Sequence, residues 1–171
     1  MLNRAIPAGG RAVGKERTIR SVKIGYRPAA PDDYDFLYQL HRAAMQRYVV
    51  ETWGRWDEDW QELFFRENLH LDLQQVITTG GEDVGVLEVQ ERAEELFIVL
   101  IEILPEYQGR GIGSQVLNDV IARAGQDRKP VALRVLKVNI RARDLYQRLG
   151  FGVTGETETH YIMARGSRSA D

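Results

Sequence analysis

The sequence predicts a single α/β domain, α+β in arrangement, with a mixed central sheet of six to seven strands and about four flanking helices. Short apolar runs bounded by turn residues recur along the chain and indicate strands. Longer segments place their apolar residues on one helical face. One apolar run passes through a glycine-rich turn directly into such a helix. A chain of 171 residues, 43% of them hydrophobic, is long enough to bury one sizeable core.

The chain divides into one domain and two short ends. Residues 1–20 are basic and contain Pro7, Gly9 and Gly10, so they are expected to form a flexible N-terminal tail. Their Arg-rich start also resembles an organelle transit peptide, although its apolar pattern is weak. Residues 21–165 are expected to form the domain, and residues 166–171 a frayed C-terminus.

The apolar periodicity predicts the order of the elements. The predicted strands are 22–26, 73–78, 84–91, 96–104, 131–137, 151–155 and 160–164. The predicted helices are 31–50, 57–69, 112–125 and 140–149. The second, third and fourth strands are joined by short turns and are expected to be antiparallel. A helix connects the fourth strand to the fifth, so these two are expected to be parallel.

Residues at the ends of these segments predict where the helices begin and end. Pro31 suits a first helical position. Asp57 and Asn139 are predicted N-caps, and Gly125 and Gly150 are predicted to end helices in the left-handed conformation. The second helix is expected to make apolar contacts through Trp60, Leu63 and Phe64, together with Leu71 just after the helix.

Composition excludes several classes of function. The formal net charge of -2 gives no electrostatic reason to expect nucleic acid or an anionic membrane as partner, although a local basic patch stays open. The chain has no Cys, which excludes disulfides, thiolate metal sites and a cysteine acyl-enzyme. His41, His70 and His160 are scattered without metal-ligand spacing, so each is expected to have a structural or exposed role. His160 is the one candidate for more, because it lies in a late strand near the presumed cleft. No apolar run reaches membrane-spanning length, so a cytoplasmic location is expected.

A glycine-rich turn carries the first chemical signal. It reads Gln108-Gly109-Arg110-Gly111-Ile112-Gly113-Ser114 and opens a helix. The first N–H groups of a helix lack partners, and the helix dipole adds partial positive charge there. Because glycines expose the backbone and Arg110 adds a cation, the turn is predicted to hold a phosphate group. The alternative is a tight turn that needs glycine only for positive φ.

The spacing of this turn excludes two common phosphate loops. No Lys follows Gly113, so the Walker pattern is absent. The third glycine of the dinucleotide fingerprint is also missing. Instead, Gln108, Gly111 and Gly113 form Q-x-x-G-x-G, which closely resembles the pyrophosphate loop of the GNAT family of N-acetyltransferases.

A second segment strengthens that resemblance. Residues 139–151 resemble the family's Asn, Ala-x-x-Leu-Tyr and Gly-Phe pattern, in the family's order along the chain. Together the two motifs extend the resemblance over residues 22–165 and imply a GNAT-like fold. They also imply acetyl-CoA as the acetyl donor.

The resemblance implies a set of donor-binding residues. The pyrophosphate is expected on the turn formed by Gln108, Gly109, Arg110, Gly111, Ile112, Gly113 and Ser114. The family leaves a gap after its central strand, where Ile103 and Leu104 are expected to offer backbone groups to the pantetheine amides. Pro105 cannot donate to a ladder, so pairing is expected to fail near this strand end. Asn139 is expected both to cap its helix and to contact the donor.

Two residues are predicted to be catalytic. Tyr146 matches the family's tyrosine and would protonate the departing thiolate, a role for which a phenol of pKa about 10 is suited. The alternative is a core tyrosine. Glu102 is a lone carboxylate in an apolar strand and could accept the amine proton. The alternative is a strand residue that faces a solvent-filled cleft or an edge.

The acceptor site is predicted between the first two helices. This region contains Trp53 and Trp56, follows Tyr48, and continues into three acidic residues, 57–59. Aromatic faces and carboxylates suit a small cationic amine, and a peptide acceptor stays open. The alternative is a capped helix with large aromatic anchors.

The predicted function is N-acetyl transfer from acetyl-CoA by direct attack of an amine in a ternary complex. A non-catalytic module that senses an acyl-CoA is the alternative. The oligomeric state stays open, a homodimer included.

Overall fold

A computed structural model describes residues 22–166, which form one seven-stranded sheet with four α-helices. The strands are β1 (Ile24–Pro28), β2 (Gln74–Thr79), β3 (Glu82–Glu91), β4 (Leu96–Ile103), β5 (Val131–Leu136), β6 (Gly152–Glu156) and β7 (His160–Arg165). The helices are α1 (Tyr34–Trp53), α2 (Glu58–Glu67), α3 (Ile112–Gln126) and α4 (Ile140–Arg148). The predicted N-terminal tail and residues 167–171 lie outside the described residues.

The sheet has the order β1-β2-β3-β4-β5-β7-β6, and its pairing confirms the predicted directions. Strands β2, β3 and β4 are antiparallel neighbours, whereas β4 and β5 run parallel. The β2–β3 hairpin turns at Gly80 and Gly81, both at positive φ. This conformation belongs to the two-residue turn that matches strand twist, and it is why glycines stand there.

The parallel pair β4–β5 is joined over only three residues. The pairing runs from Leu96 to Ile98 on β4 and then stops, five residues before the strand ends. On the other side of β4, Ile98 and Leu100 pair with successive residues of β3, so Val99 is an extra, bulged residue. A bulge bends its strand and increases the local twist. The bend therefore opens a gap between β4 and β5 well before Pro105, at which pairing was predicted to fail.

The helices cover the two faces of the sheet. Apolar residues of α3 and α4, among them Val116, Leu117 and Tyr146, form the larger core with one face. Leu37 and Leu40 of α1 and Phe65 of α2 form a second core on the opposite face. None of the helices in residues 22–166 is long and apolar enough to cross a membrane.

Several predicted boundaries moved by one or two residues, and one predicted helix end was wrong. Gly125 lies inside α3, which continues to Gln126, and the left-handed residue that follows the helix is Arg128, at φ 54°. A glycine near a helix end does not have to be the residue that reverses the chain, because Asn, Asp and other residues can adopt this conformation at some energetic cost. Gly150 follows α4 at φ 87°, as predicted.

The orientation of α2 also differs from the prediction. Its buried residues are Gln61 and Phe65, whereas Trp60, Leu63 and Phe64 are 54%, 54% and 46% exposed. The ring of Phe65 packs at 5.4 Å from the ring of Tyr38 on α1. Residues four apart share a helix face, so packing Phe65 inward also turns Gln61 inward and leaves the more apolar face outside.

Candidate active site

The gap between β4 and β5 opens into two adjoining cavities. The large cavity has a volume of about 770 Å³ and lies between β4, β5 and the helices α1 and α2. The loop cavity has a volume of about 420 Å³ and lies against the glycine-rich turn and α4. The residues that line both cavities, and so mark their junction, are Met45, Ile101, Glu102, Asn139 and Tyr146.

The glycine-rich turn forms the floor of the loop cavity. Gly109 and Gly111 have φ values of 77° and 87°, and Gly111 is the N-cap of α3. The side chain of Gln108 folds back, and its Nε2 donates to the carbonyl oxygen of Ile103 at 2.8 Å. This bond fixes the turn against the end of β4. The N–H groups of the first turn of α3 have no partner within the helix and suit an anion, so the anion site stays a prediction that this geometry allows.

Most predicted donor-binding residues meet in the loop cavity. Its lining includes Ile103, Gln108, Gly109, Gly111, Gly113, Ser114 and Asn139. Three others lie elsewhere. Leu104 packs against the second core, Ile112 is buried in the larger core, and the guanidinium of Arg110 lies over the ring of Tyr107. The N–H of Leu104 also donates to the carbonyl oxygen of Val84, so it has a partner within the sheet.

Two arginines that were not among the predicted site residues line the loop cavity. Arg141 and Arg148 lie on α4, and Nη1 of Arg141 donates to Oε1 of Gln108 at 3.1 Å. The only available signal was their place in a cationic helix that follows the Asn139 cap. Guanidinium groups bind phosphate oxygens well, so the cavity has the composition expected for a pyrophosphate. The open glycine turn and these cations together fit the phosphate end of acetyl-CoA.

Tyr146 lies at the junction of the two cavities and is only 7% exposed. Helix α4 carries it there, and Oδ1 of Asn139 caps that helix by accepting from the N–H of Ala142 at 3.1 Å. The Tyr146 hydroxyl makes no hydrogen bond to any described residue. Burial raises the pKa of Tyr146 to about 12, because the phenolate would lose its hydration. At neutral pH the side chain is therefore a proton donor.

Glu102 lies on the segment of β4 that has no β5 partner, and it is 5% exposed. Its Oε1 is 2.8 Å from Nδ1 of His41 on α1. Its other oxygen, Oε2, is buried without a hydrogen-bond partner among the described residues. The predicted lone carboxylate is therefore paired with a half-buried histidine that lines the large cavity.

The pair changes the titration of His41. Burial lowers the pKa of His41, but the hydrogen bond to Glu102 and the charge of that carboxylate outweigh burial and raise it above the ordinary value of 6.5. The sequence predicted only a structural or exposed role for His41. Nothing in the local pattern connects it to Glu102, which is 61 residues away along the chain.

The predicted acceptor residues are divided between three places. Trp53 lines the large cavity, whereas Tyr48 lines the loop cavity. Trp56 lines neither cavity, and its Nε1 donates to Oε2 of Glu58 at 2.9 Å. The exposed rings of Trp60 and Phe64, stacked at 5.0 Å, form part of the large-cavity wall instead. His160 also lines this cavity, as its position in the last strand suggested.

Comparisons with known proteins agree with this geometry. The family model described as the acetyltransferase (GNAT) family matches residues 34–151. The spermidine N(1)-acetyltransferase of Escherichia coli K12 is 28% identical, over 88% of this chain and 83% of its own.

Solved structures share the fold. The PaiA N-acetyltransferase from Thermoplasma acidophilum, solved in complex with coenzyme A, superimposes with a TM-score of 0.70 at 18% identity, over 84% of this chain and 99% of its own. The ribosomal-protein-S18-alanine N-acetyltransferase from Escherichia coli superimposes with a TM-score of 0.64 at 21% identity, over 87% of this chain and 97% of its own. The chain belongs to the acetyltransferase (GNAT) family and is an acyltransferase that uses acetyl-CoA as its acetyl donor.

Proposed function

We propose that residues 21–165 form a catalytic domain that transfers the acetyl group of acetyl-CoA to a small cationic amine. The observation that carries this proposal is the meeting of two cavities at Glu102 and Tyr146. One cavity has the chemistry expected for the donor, and the other is free for an acceptor. Two substrates held on opposite sides of one junction can react directly, and holding them there removes much of the entropic barrier.

On the donor side, the N-terminus of α3 and Arg141 hold the pyrophosphate. The pantetheine arm lies along the segment 99–103 of β4, whose β5-facing edge has no strand partner. An arm with amide groups can pair with such an edge as an added strand does. Asn139, which lines both cavities, adds its side-chain amide beside the arm.

On the acceptor side, the size and composition of the large cavity favour a small molecule. A volume of about 770 Å³ lies within the range typical of small-molecule sites. Trp53, Trp60 and Phe64 offer aromatic faces to a protonated amine, and Asp57 and Glu102 offer carboxylates. The similarity to a spermidine acetyltransferase supports an amine acceptor.

At the junction, Tyr146 is the proton donor, and Glu102 lies where a proton must be accepted. Direct attack is the simplest route because the chain contains no cysteine to carry an acyl group. The amine attacks the thioester carbonyl, and the hydroxyl of Tyr146 protonates the leaving sulfur. The carboxylate of Glu102 attracts the ammonium group and can accept its proton, directly or through water.

Calorimetric titration with acetyl-CoA, followed by a thiol-release assay with a panel of amines and peptides, tests this function. We expect saturable binding and release that requires a small primary amine. Binding with release only for peptides would overturn the small-amine assignment. Binding without release for any acceptor would favour an acyl-CoA sensor. Absence of binding would overturn the donor site itself.

A further inference from the structure

We infer that His41 is the group that accepts the proton of the acceptor amine, and that Glu102 is the positioning residue behind it. This inference rests on the proposed function and deepens it. It assigns the role of general base to His41 on α1, and Glu102 then orients His41 and does not itself accept the proton.

The hydrogen bond between the two residues fixes the imidazole tautomer. An ionised carboxylate can only accept a hydrogen bond, so the 2.8 Å contact with Oε1 of Glu102 places the proton on Nδ1 of His41. In the neutral ring, the lone pair then lies on Nε2. This nitrogen makes no hydrogen bond to any residue in the described part of the chain. Carboxylates orient histidine bases in the same way in hydrolytic triads.

The surroundings hold the ring in place. The His41 ring lies 5.4 Å from the ring of Phe65 and 6.0 Å from that of Trp56, and the side chain is 18% exposed. Glu102 is less exposed still, with a side-chain exposure of 4%. A base whose orientation is fixed by packing on two sides and by a hydrogen bond on the third requires little reorganisation during reaction.

The position of His41 relative to the cavities distinguishes it from Glu102. His41 lines only the large cavity, whereas Glu102 lines both. An amine in the large cavity can therefore reach the imidazole from the acceptor side. The second oxygen of Glu102 is buried and has no hydrogen-bond partner among the described residues, so the imidazole is the more accessible of the two groups.

A second histidine–carboxylate pair provides a comparison within the molecule. Nδ1 of His70 lies 3.6 Å from Oε1 of Glu88, which is also buried on the sheet face covered by α1 and α2. Neither residue lines either cavity. The pairing alone is therefore not a sign of catalysis, and what sets His41 apart is its place beside the junction.

Few other charges act on His41. Across the large cavity lie Arg134 of β5, His160 of β7 and Tyr146 of α4. The loop before α2 contributes the lining residues Arg55 and Asp57, which form an ion pair at 3.6 Å. On α1 and α2, the nearby Tyr38, Arg42 and Glu58 interact with one another.

Glu102 is therefore the charge that dominates the titration of His41.

The protons balance in this scheme. The ammonium group of the acceptor gives one proton to Nε2 of neutral His41, and the free amine forms the new C–N bond. The C–S bond breaks with its electron pair on sulfur, which takes the Tyr146 hydroxyl proton. The second amine proton restores that hydroxyl. His41 then releases its proton to solvent, so the net products are the amide, the free thiol and one proton.

The pH dependence of kcat/KM tests the assignment in four proteins: wild type, His41→Asn, Glu102→Gln and His70→Gln. Neutral His41 is required, so the wild-type rate rises with pH through a pKa above 6.5. Asn retains a hydrogen-bond donor toward Glu102, so the His41→Asn variant should fold. Because it has no imidazole to accept the proton, its kcat should fall about 100-fold and its rate should no longer rise with pH through this pKa. Glu102→Gln removes the cause of the raised pKa and should move the rise to lower pH. His70→Gln should keep the wild-type profile.

A nitrogen-15 spectrum of the histidine side chains gives a readout without turnover. The chain has three histidines, and the variants assign them. We expect an Nδ1–H tautomer for His41 and a titration midpoint that falls in Glu102→Gln. A rise that persists in His41→Asn and disappears in Glu102→Gln would overturn the inference and restore Glu102 as the base. Absence of turnover in the wild type would instead overturn the proposed function.

Discussion

Tyr146 has the chemistry of an acid because of where α4 places it. Its raised pKa has burial as its cause, and no neighbouring carboxylate contributes. The pKa of His160, which lines the large cavity, shifts in the opposite direction. Burial is the main cause that lowers it below the ordinary value, and the charge of Arg134 lowers it further. Burial acts against the charged form in both residues, which disfavours the phenolate in one and the imidazolium in the other.

Replacing Tyr146 with Phe should lower kcat about 100-fold, because the leaving thiolate would lose its proton donor. KM for both substrates should change little, since the ring remains. Thiol release at several pH values measures the effect. Tyr161→Phe, in β7 and outside both cavities, is the matched control. Wild-type turnover by Tyr146→Phe at every pH would exclude the acid role.

At the scale of elements, the parting of β4 from β5 creates the site. The bulge at Val99 bends β4, and the turn at 108–114 then sends the chain into α3 beside the parted edge. The same gap also leaves Glu102 within reach of α1. One bend in one strand therefore brings the glycine-rich turn, the large cavity and the His41–Glu102 pair together.

Substituting two glycines, one in the turn and one inside α3, distinguishes the effect of a left-handed backbone conformation on stability from the effect of helix propensity. Gly111→Ala places a side chain at φ 87° and should destabilise the protein by about 1–2 kcal/mol. It should also weaken acetyl-CoA binding. Gly125→Ala lies inside α3 with open space around it, and should stabilise by about 0.5–1 kcal/mol. Urea unfolding and calorimetry measure both quantities, and equal effects of the two variants would contradict the assigned role of the turn.

At the scale of the whole molecule, one ion cluster ties three separate segments together. Arg27 of β1 pairs with Asp33, just before α1, at 2.8 Å and with Asp83 of β3 at 2.6 Å. The hydrogen bond from Arg27 is the main cause that lowers the pKa of Asp33 below its usual value. The cluster anchors the edge strand and the start of α1 to the central hairpin.

This cluster should contribute to stability only above acid pH. The pKa of Asp33 is lower in the folded than in the unfolded state, so its contribution is present above about pH 4 and is lost as the pH falls through the folded-state pKa. Asp33→Asn should cost about 1 kcal/mol at pH 7 and flatten the loss of stability in acid. Thermal unfolding from pH 7 to pH 3 measures this.

Asp32→Asn is the control for that experiment. Asp32 is exposed and makes no ion pair among the described residues. It should therefore retain the wild-type acid slope. An identical slope in Asp33→Asn and wild type would show that the cluster does not hold the segments together.

Local sequence determined the elements and the glycine-rich turn. Glycines at positive φ, the Asn139 and Asp57 caps and the period of the apolar residues act within a few residues of each other, so their effects can be predicted from spacing alone. The order of strands followed from short turns and one helical crossover. The two family motifs then located Tyr146.

Only the tertiary structure decided what depends on residues far apart. The pairing of His41 with Glu102 arises because α1 crosses the sheet where β4 is bent, and no period in the sequence encodes that crossing. The inward face of α2 was decided by the aromatic packing of Phe65, against the stronger apolar pattern of its neighbours. Local propensities decide which element forms, but the burial of shared surface decides how elements face one another, and that packing places His41 beside Glu102.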